Sequence, residues 1–368
     1  MRQGSQGRRL TIDLGGRNAM KRRLQISRAD APWIAGAGAI AGILAALLTH
    51  MGNPIDGGVS IACFTRDIAG ALGLHQYIEF SAIRPELIAI ILGATVIAFI
   101  KHDFRPTQGS SPIIRFFIGM LLSFGVFVFI GCPMRVGLRI AGGDPAALYG
   151  LAGLIAGVWV GTLFLRQGFA LGPSAPTTRP NGLMLPAALL LLLVLSLAVP
   201  GLFITSRERH APVLAALVAG GVIGIAGQRT RLCFIGGIRN FLLIGDMTLL
   251  SGFAAFILAA LGANILLDQA HFGVHIIGSS DALWSFCALL EVGIACTMLG
   301  GCPFRQLVLA GQGNGDGAVA LLGIMAGAAI AYNLSFAYVG GSADVAGKAA
   351  VIGGIAALCC IALFNRER

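Results

Sequence analysis

The sequence predicts an all-α polytopic membrane protein of about ten transmembrane helices plus short re-entrant helices, arranged as two inverted structural repeats in an hourglass-like fold. Three observations predict it. Of 368 residues, 56% are hydrophobic and only 11% are charged, against about 25% charged in an average soluble domain. The apolar residues gather into long runs that a soluble chain could not bury around one core. Two cysteine-centred signatures each occur twice, both at an offset of 170 residues.

Ten apolar segments approach the length of a span: 32–50, 84–101, 113–131, 146–165, 183–203, 211–227, 248–267, 284–301, 318–338 and 349–364. The first run carries no small-residue cleavage site and nine others follow, so it reads as a span and not as a secretory signal. The net charge of +10 does not point to nucleic acid, because eight of the 26 basic residues precede residue 29 and most others sit at segment ends. That pattern is a topology signal. Starting inside and alternating places 19 basic residues in the cytoplasm, among them Arg229, Arg231, Arg239, Arg305 and Arg366. Seven fall outside: Arg66, Arg84, Arg135, Arg139, Arg207, Arg209 and Lys348. Loop 268–283, on the outer side, has two Asp, two His and no Lys or Arg. The expected location is the inner (plasma) membrane, multi-pass, with both termini cytoplasmic.

The duplication divides the chain. Residues 131–135 read GCPMR and residues 301–305 read GCPFR; Cys63-Phe64 is matched by Cys233-Phe234. The expected organisation is a basic tail over 1–31, a first repeat over 32–170, and a linker with one crossing helix over 171–210. An inverted second repeat over 211–340 and a C-terminal helix and tail over 341–368 complete it. Four spans return the first repeat to the cytoplasm, and one more crossing starts the second repeat upside down. Residues 57–74 and 229–245 are too short or too polar to span and read as re-entrant half-helices. Irregular backbone at that depth must be buried in protein or line a cavity. Cys63 and Cys132 would then face Cys233 and Cys302 across a central constriction.

Each motif sets a thiol near guanidinium: Cys63 with Arg66, Cys132 with Arg135, Cys233 with Arg231 and Arg239, and Cys302 with Arg305. Arginine stays charged and draws an anion, and helix N-termini add positive dipole. A nearby cation raises thiol reactivity, and sulfur is soft and polarisable. Pro133 and Pro303 stop the preceding helix and free backbone groups for the cavity. Together Cys63, Cys132, Cys233, Cys302, Arg66, Arg135, Arg239 and Arg305 describe a path for a small anion carrying soft chalcogen atoms.

Other polar groups read differently. Cys287, Cys296, Cys359 and Cys360 lack repeat partners and read as packing atoms. No CxxC occurs and the cysteine spacing suits no metal, so neither a metal nor a cofactor is expected. His271 and His275 read as solvated loop residues. Glu291 lies mid-span, where a carboxylate costs roughly 2.5–3.5 kcal/mol on insertion scales; its readings divide between a local structural pair and a cavity group. Asp144 and Asp316 read as caps of the helices that follow.

The stretches ACFTRDIAGALGLH (62–75), IRPE (83–86), GCPMRVGLRIAGGD (131–144), QRTRLCFIGGIR (228–239) and GGCPFRQLVLAGQGNGD (300–316) resemble the YeeE/YedE family of membrane proteins. The resemblance runs from about residue 34 to residue 338. It is nearest to the YedE-type branch associated with selenium transport. It implies an inverted-repeat, hourglass-like fold and an activity like the family's best understood one, thiosulfate uptake along a line of cysteines. The thiols there pass the ion by S–H···S contacts without opening a wide pore. By position the resemblance implies Cys63, Cys132, Cys233 and Cys302 for that role. Asn240 stands where the branch commonly has Asp, which weakens a carboxylate role there, and residues 1–29 extend the usual start.

The expected function is therefore a non-enzymatic membrane transporter or facilitator for a small selenium- or sulfur-containing anion. Membrane lipids and a cytosolic sulfurtransferase-like carrier are the other expected partners, and nucleic acid is not one. Two alternatives remain open at this point: a relay protein that carries persulfide or selenide covalently, and a small-anion channel.

Overall fold

The computed structural model describes residues 11–199, 201–206, 210–273, 281–338 and 345–366, with side chains from residue 30 onward. Arg207, Arg209, His275 and Arg368 lie outside the described residues. The described chain is helical almost throughout: α1 (Thr11–His50), α2 (Ile61–Ala71), α3 (Pro85–Ile100), α4 (Pro112–Phe129), α5 (Pro133–Gly142), α6 (Ala146–Arg166), α7 (Arg179–Ala198), α8 (Val213–Thr230), α9 (Phe234–Ile244), α10 (Thr248–Leu266), α11 (Ala282–Met298), α12 (Pro303–Gly311), α13 (Gly315–Asn333) and α14 (Val345–Phe364). A two-residue antiparallel ladder pairs Thr107–Gln108 with Ala175–Pro176.

Ten segments are long and apolar enough to cross a membrane, the number read from the sequence. Several boundaries move. Helix α1 begins at Thr11 and runs through the expected tail, although its apolar part starts only at Asp30. Helix α7 occupies 179–198 where a span over 183–203 was expected. Four helices open on a proline at the first position (Pro85, Pro112, Pro133 and Pro303), where the missing N–H costs nothing because that donor has no intrahelical partner.

Helix α1 packs along α10, α3 along α8, α4 along α13 and α6 along α11; α1 also meets α8 and α4 meets α11. Exchanging α1–α6 in order for α8–α13 turns each of these contacts into another of them or into itself. The contacts are close because small residues line them. A side chain at Gly38 would strike the carbonyl of Gly252, and one at Gly93 the carbonyl of Gly221. In lipid, where apolar surface alone gives little preference for another helix, such backbone approach is what holds helices together.

The short helices form the interior. Every residue of α2 is buried, as are nine of the ten in α5. Large apolar side chains such as Leu190, Leu191, Leu214, Leu266 and Ile352 face outward, as a lipid-facing surface requires. Two buried carboxylates, Asp67 and Asp144, are paired with arginine. Asp67 accepts from Arg66 and Arg84, and Asp144 pairs with Arg139 at 2.7 Å. Glu291 is unpaired: it is fully buried, neither carboxyl oxygen has a partner, and it fills a notch left by Gly354.

Candidate functional site

The Gly-Cys-Pro motifs build the site from the backbone up. A proline forces the residue before it into extended geometry, so Cys132 (φ −83°, ψ 170°) and Cys302 (φ −69°, ψ 166°) cannot continue a helix. Each becomes the N-cap of the short helix that follows. The chain breaks just upstream in left-handed backbone, at Ile130 (φ 56°) in one motif and Gly300 (φ 82°) in the other. Cys233 likewise caps α9, its thiolate or thiol sulfur accepting from the Gly236 amide at 3.2 Å. Three of the four expected thiols therefore sit at helix N-termini, among unpaired backbone N–H groups and at the positive dipole end.

One cluster gathers at the starts of α2 and α5. Ser60 Oγ lies 3.7 Å from Cys132 Sγ. Arg135 Nη1 donates to Cys63 Sγ at 3.2 Å, and its other donors reach the main-chain carbonyls of Asp56 and Ile55 at 3.2 and 3.3 Å. Arg135 is buried, yet it binds no carboxylate; its hydrogen bonds go to neutral groups and one sulfur. Cys63 thus takes its cation from the other motif, not from Arg66 as the sequence spacing predicted. Arg66 is committed elsewhere. It pairs with Asp67, donates to the Tyr332 hydroxyl at 2.8 Å, and lies over the Phe80 ring at 4.2 Å. Its counter-ion Asp67 is shared with Arg84, so the three side chains together keep one net positive charge.

The second cluster gathers at the starts of α9 and α12. Cys233 Sγ donates to Cys302 Sγ at 3.8 Å, and both thiols are reduced. Arg305 lies within electrostatic range of both sulfurs, and its Nη1 has no hydrogen-bond partner. Arg239 turns away: it reaches Gly300 O at 3.4 Å and Asn240 at 3.5 Å from a more open position. Of the four arginines only Arg135 hydrogen-bonds a motif sulfur; Arg66 lies within electrostatic range of Cys63, Arg239 of Cys233, and Arg305 of Cys233 and Cys302.

The helix starts do not all keep the 170-residue offset of the sequence motifs. Helix α2 starts after Ser60 and α9 after Cys233, an offset of 173, while the prolines of α5 and α12 keep the offset of 170. The capping counterpart of Cys233 is Ser60, and Cys63 lies one turn further along α2. Sequence matching found the two Cys-Phe pairs but not their different places on the helix.

Other residues join the site unannounced. Cys296, read as filler, is fully buried and lies within electrostatic range of both Cys132 and Cys233; nothing in its neighbours along the chain signals this. His271, read as solvated, bonds Asp56 at 2.9 Å. Burial pushes the Asp56 carboxyl above its usual range, opposed by His271 and Arg135. Asp144 does cap α6, accepting from the Ala146 amide. Asp316 does not cap α13, a role taken by Asn314; it accepts instead from the Gly109 and Ser110 amides.

The four motif thiols are each at most 4% exposed, so no wide aqueous passage reaches them in this conformation. Among the described residues no group of three or more His, Cys, Asp or Glu side chains is placed to hold a metal. What the arrangement offers is soft sulfur, backbone N–H groups and the guanidinium groups of buried Arg135 and half-buried Arg305, neither with a carboxylate hydrogen-bond partner. Comparison of the chain with family models and with curated proteins returns no match.

Proposed function

We propose that the protein is a membrane transporter or facilitator that passes a small selenium- or sulfur-containing anion between the two thiol clusters. The observation that carries this reading is Arg135: a buried cation hydrogen-bonded to a thiol and two carbonyls, with no carboxylate bonded to it. A buried charge is costly unless compensated, and an anion arriving at Cys63 and Cys132 would compensate it. Cysteine sulfur is the matching surface for a thiosulfate-like or selenium-bearing ion. The burial of the thiols favours hand-over from sulfur to sulfur above free diffusion through a pore.

The same reading takes the chain to belong with the YeeE/YedE proteins that its motifs resemble, in the inner membrane with both termini cytoplasmic. It takes α1–α6 and α8–α13 as inverted halves, with α7 as the odd crossing between them. The exchange relation among helix contacts supports two equivalent halves, and the single intervening span supports their inversion. The 3.8 Å separation of Cys233 and Cys302 also suits a second reading, in which one thiol carries a persulfide or selenide to its neighbour.

Radiolabelled selenite and thiosulfate uptake into proteoliposomes, each competed by the other, tests the proposal. Saturable uptake of one, blocked by the other, is the expected result. Absence of uptake together with label retained on cysteine and released by a thiol reductant would replace transport by covalent relay.

A further inference from the structure

We propose that Asp56 and His271 form a proton-binding site at the mouth of the first thiol cluster, and that its proton accompanies passage of the anion. The clause on passage rests on the transport reading above; the proton site itself does not.

The warrant is a count of donors. His271 Nε2 lies 2.9 Å from Asp56 Oδ2, and Nδ1 lies 3.0 Å from the Gln269 carbonyl. A carbonyl only accepts, and so does an ionised carboxylate; a neutral imidazole has one N–H to give. Both bonds form together only if His271 is an imidazolium, or if Asp56 is itself protonated and donates to Nε2. Either way the pair holds one proton more than neutral histidine beside carboxylate. Uptake and release of that proton at nitrogen or oxygen breaks no other covalent bond.

The surroundings hold the pair in place. Asp56 is 6% exposed and sits in left-handed backbone. Its Oδ1 occupies the space that a side chain at Gly142 would need. The His271 amide donates to Gly142 O at 2.8 Å and the Gly273 amide to Gly143 O at 3.1 Å. The connection after α10 is therefore pinned to the end of α5 by backbone hydrogen bonds beside the Asp56–His271 pair. Beside it opens a cavity of about 260 Å³, lined among others by Thr49, Asn264, Asp268 and Gln269.

The charges facing the pair are Arg135 and Arg139 from α5 and Asp268 from the connection after α10. Arg139 is neutralised by Asp144, which leaves Arg135 as the free cation. Arg135 touches both sites at once, donating to the Asp56 carbonyl and to Cys63 Sγ. With the proton bound, Asp56 is satisfied by His271 and the Arg135 charge is left for Cys63 and its ligand. With the proton lost, one histidine hydrogen bond disappears and the Asp56 carboxylate competes for Arg135. Anion passage then slows.

The test uses full-length protein labelled with ¹⁵N-histidine in nanodiscs, titrated by NMR, alongside thiosulfate uptake by the same variants in proteoliposomes. The ring ¹⁵N signals of His271, identified by their absence from H271Q, should report one proton shared with Asp56, as imidazolium or as neutral imidazole accepting from the carboxyl, and D56N should shift that protonation equilibrium about tenfold or more, one pH unit. Wild-type uptake should fall as pH rises through that titration, while H271Q, checked for a monodisperse fold, should show a flat profile. The same titration in wild type and D56N overturns the proton site. A shifted titration with an unaltered H271Q uptake profile overturns the coupling. A shifted titration with no thiosulfate or selenite uptake by wild type overturns the transport reading and the coupling with it, while the proton site stands.

Discussion

Replacing Arg135 with glutamine separates recognition from stability in a way that the neighbouring Arg139 does not. Arg135 makes three hydrogen bonds, at 3.2 Å to Cys63, 3.2 Å to Asp56 O and 3.3 Å to Ile55 O. Losing the two carbonyl partners costs about 1–3 kcal/mol for each acceptor left dry. Removing an unpaired buried cation returns a desolvation penalty of several kcal/mol. The two effects oppose, so R135Q should shift stability by no more than about 1–2 kcal/mol. Arg139 differs in having an anionic partner: R139Q strands the buried Asp144 carboxylate, and breaking such a pair costs about 3–5 kcal/mol. If Arg135 binds the anion, the lost charge-assisted bond is worth about 1.5–3 kcal/mol, or roughly 10- to 150-fold in apparent uptake affinity. Thermal unfolding in detergent and concentration-dependent uptake of thiosulfate and selenite measure the two quantities on the same preparations. Unchanged affinity in R135Q, or destabilisation equal to that of R139Q, would refute the argument that Arg135 is held for a ligand.

Three further outcomes follow from the same geometry. Cys302→Ser keeps size and hydrogen bonding but removes soft sulfur from the 3.8 Å pair with Cys233, so uptake should collapse at normal expression, while Cys360→Ser on the exposed face of α14 should leave it intact. Ile130→Gly should lower stability by about 1–3 kcal/mol, because losing a buried isoleucine side chain costs about 2–5 kcal/mol and relief of left-handed backbone returns only about 1–2 kcal/mol; an unchanged or raised melting temperature would refute this balance. Glu291→Met should stabilise the protein by about 1–3 kcal/mol by removing an unsatisfied buried carboxyl, and a concurrent loss of uptake would assign that carboxyl to function.

The spans were legible because a bilayer demands length and apolarity and little else, and composition reports both. The helix breaks at Cys132 and Cys302 were legible for a local reason, since Pro133 and Pro303 dictate the geometry of the residue before them. Partners were not. Arg66 stands three residues from Cys63, but Asp67 is its immediate neighbour and Tyr332 arrives from α13, so the nearer anion captures it. Arg135 reaches Cys63 across 72 residues, a distance no local pattern encodes. Cys296 and His271 were missed for the same reason: their partners come from other helices. Asp316 was misread because capping depends on which of several adjacent polar residues the backbone turn presents, and here it presents Asn314.

The slip from 170 to 173 residues makes the two clusters chemically unequal, and the inequality falls where an anion would enter or leave. At the starts of α9 and α12 the capping positions hold two thiols, 3.8 Å apart. At the starts of α2 and α5 the corresponding positions hold Ser60 and Cys132, 3.7 Å apart, and the second sulfur has moved one turn into α2 under Arg135. A hydroxyl binds oxygen better than it binds sulfur or selenium, so the first cluster can hold an oxyanion through Ser60 and Arg135 while Cys132 meets its soft atom. The second cluster offers soft contact from both caps. On the transport reading, Cys296, in electrostatic range of Cys132 and Cys233, would be an intermediate contact for the soft atom between the clusters. On that reading, the three-residue shift makes the two ends of the path chemically distinct and not interchangeable.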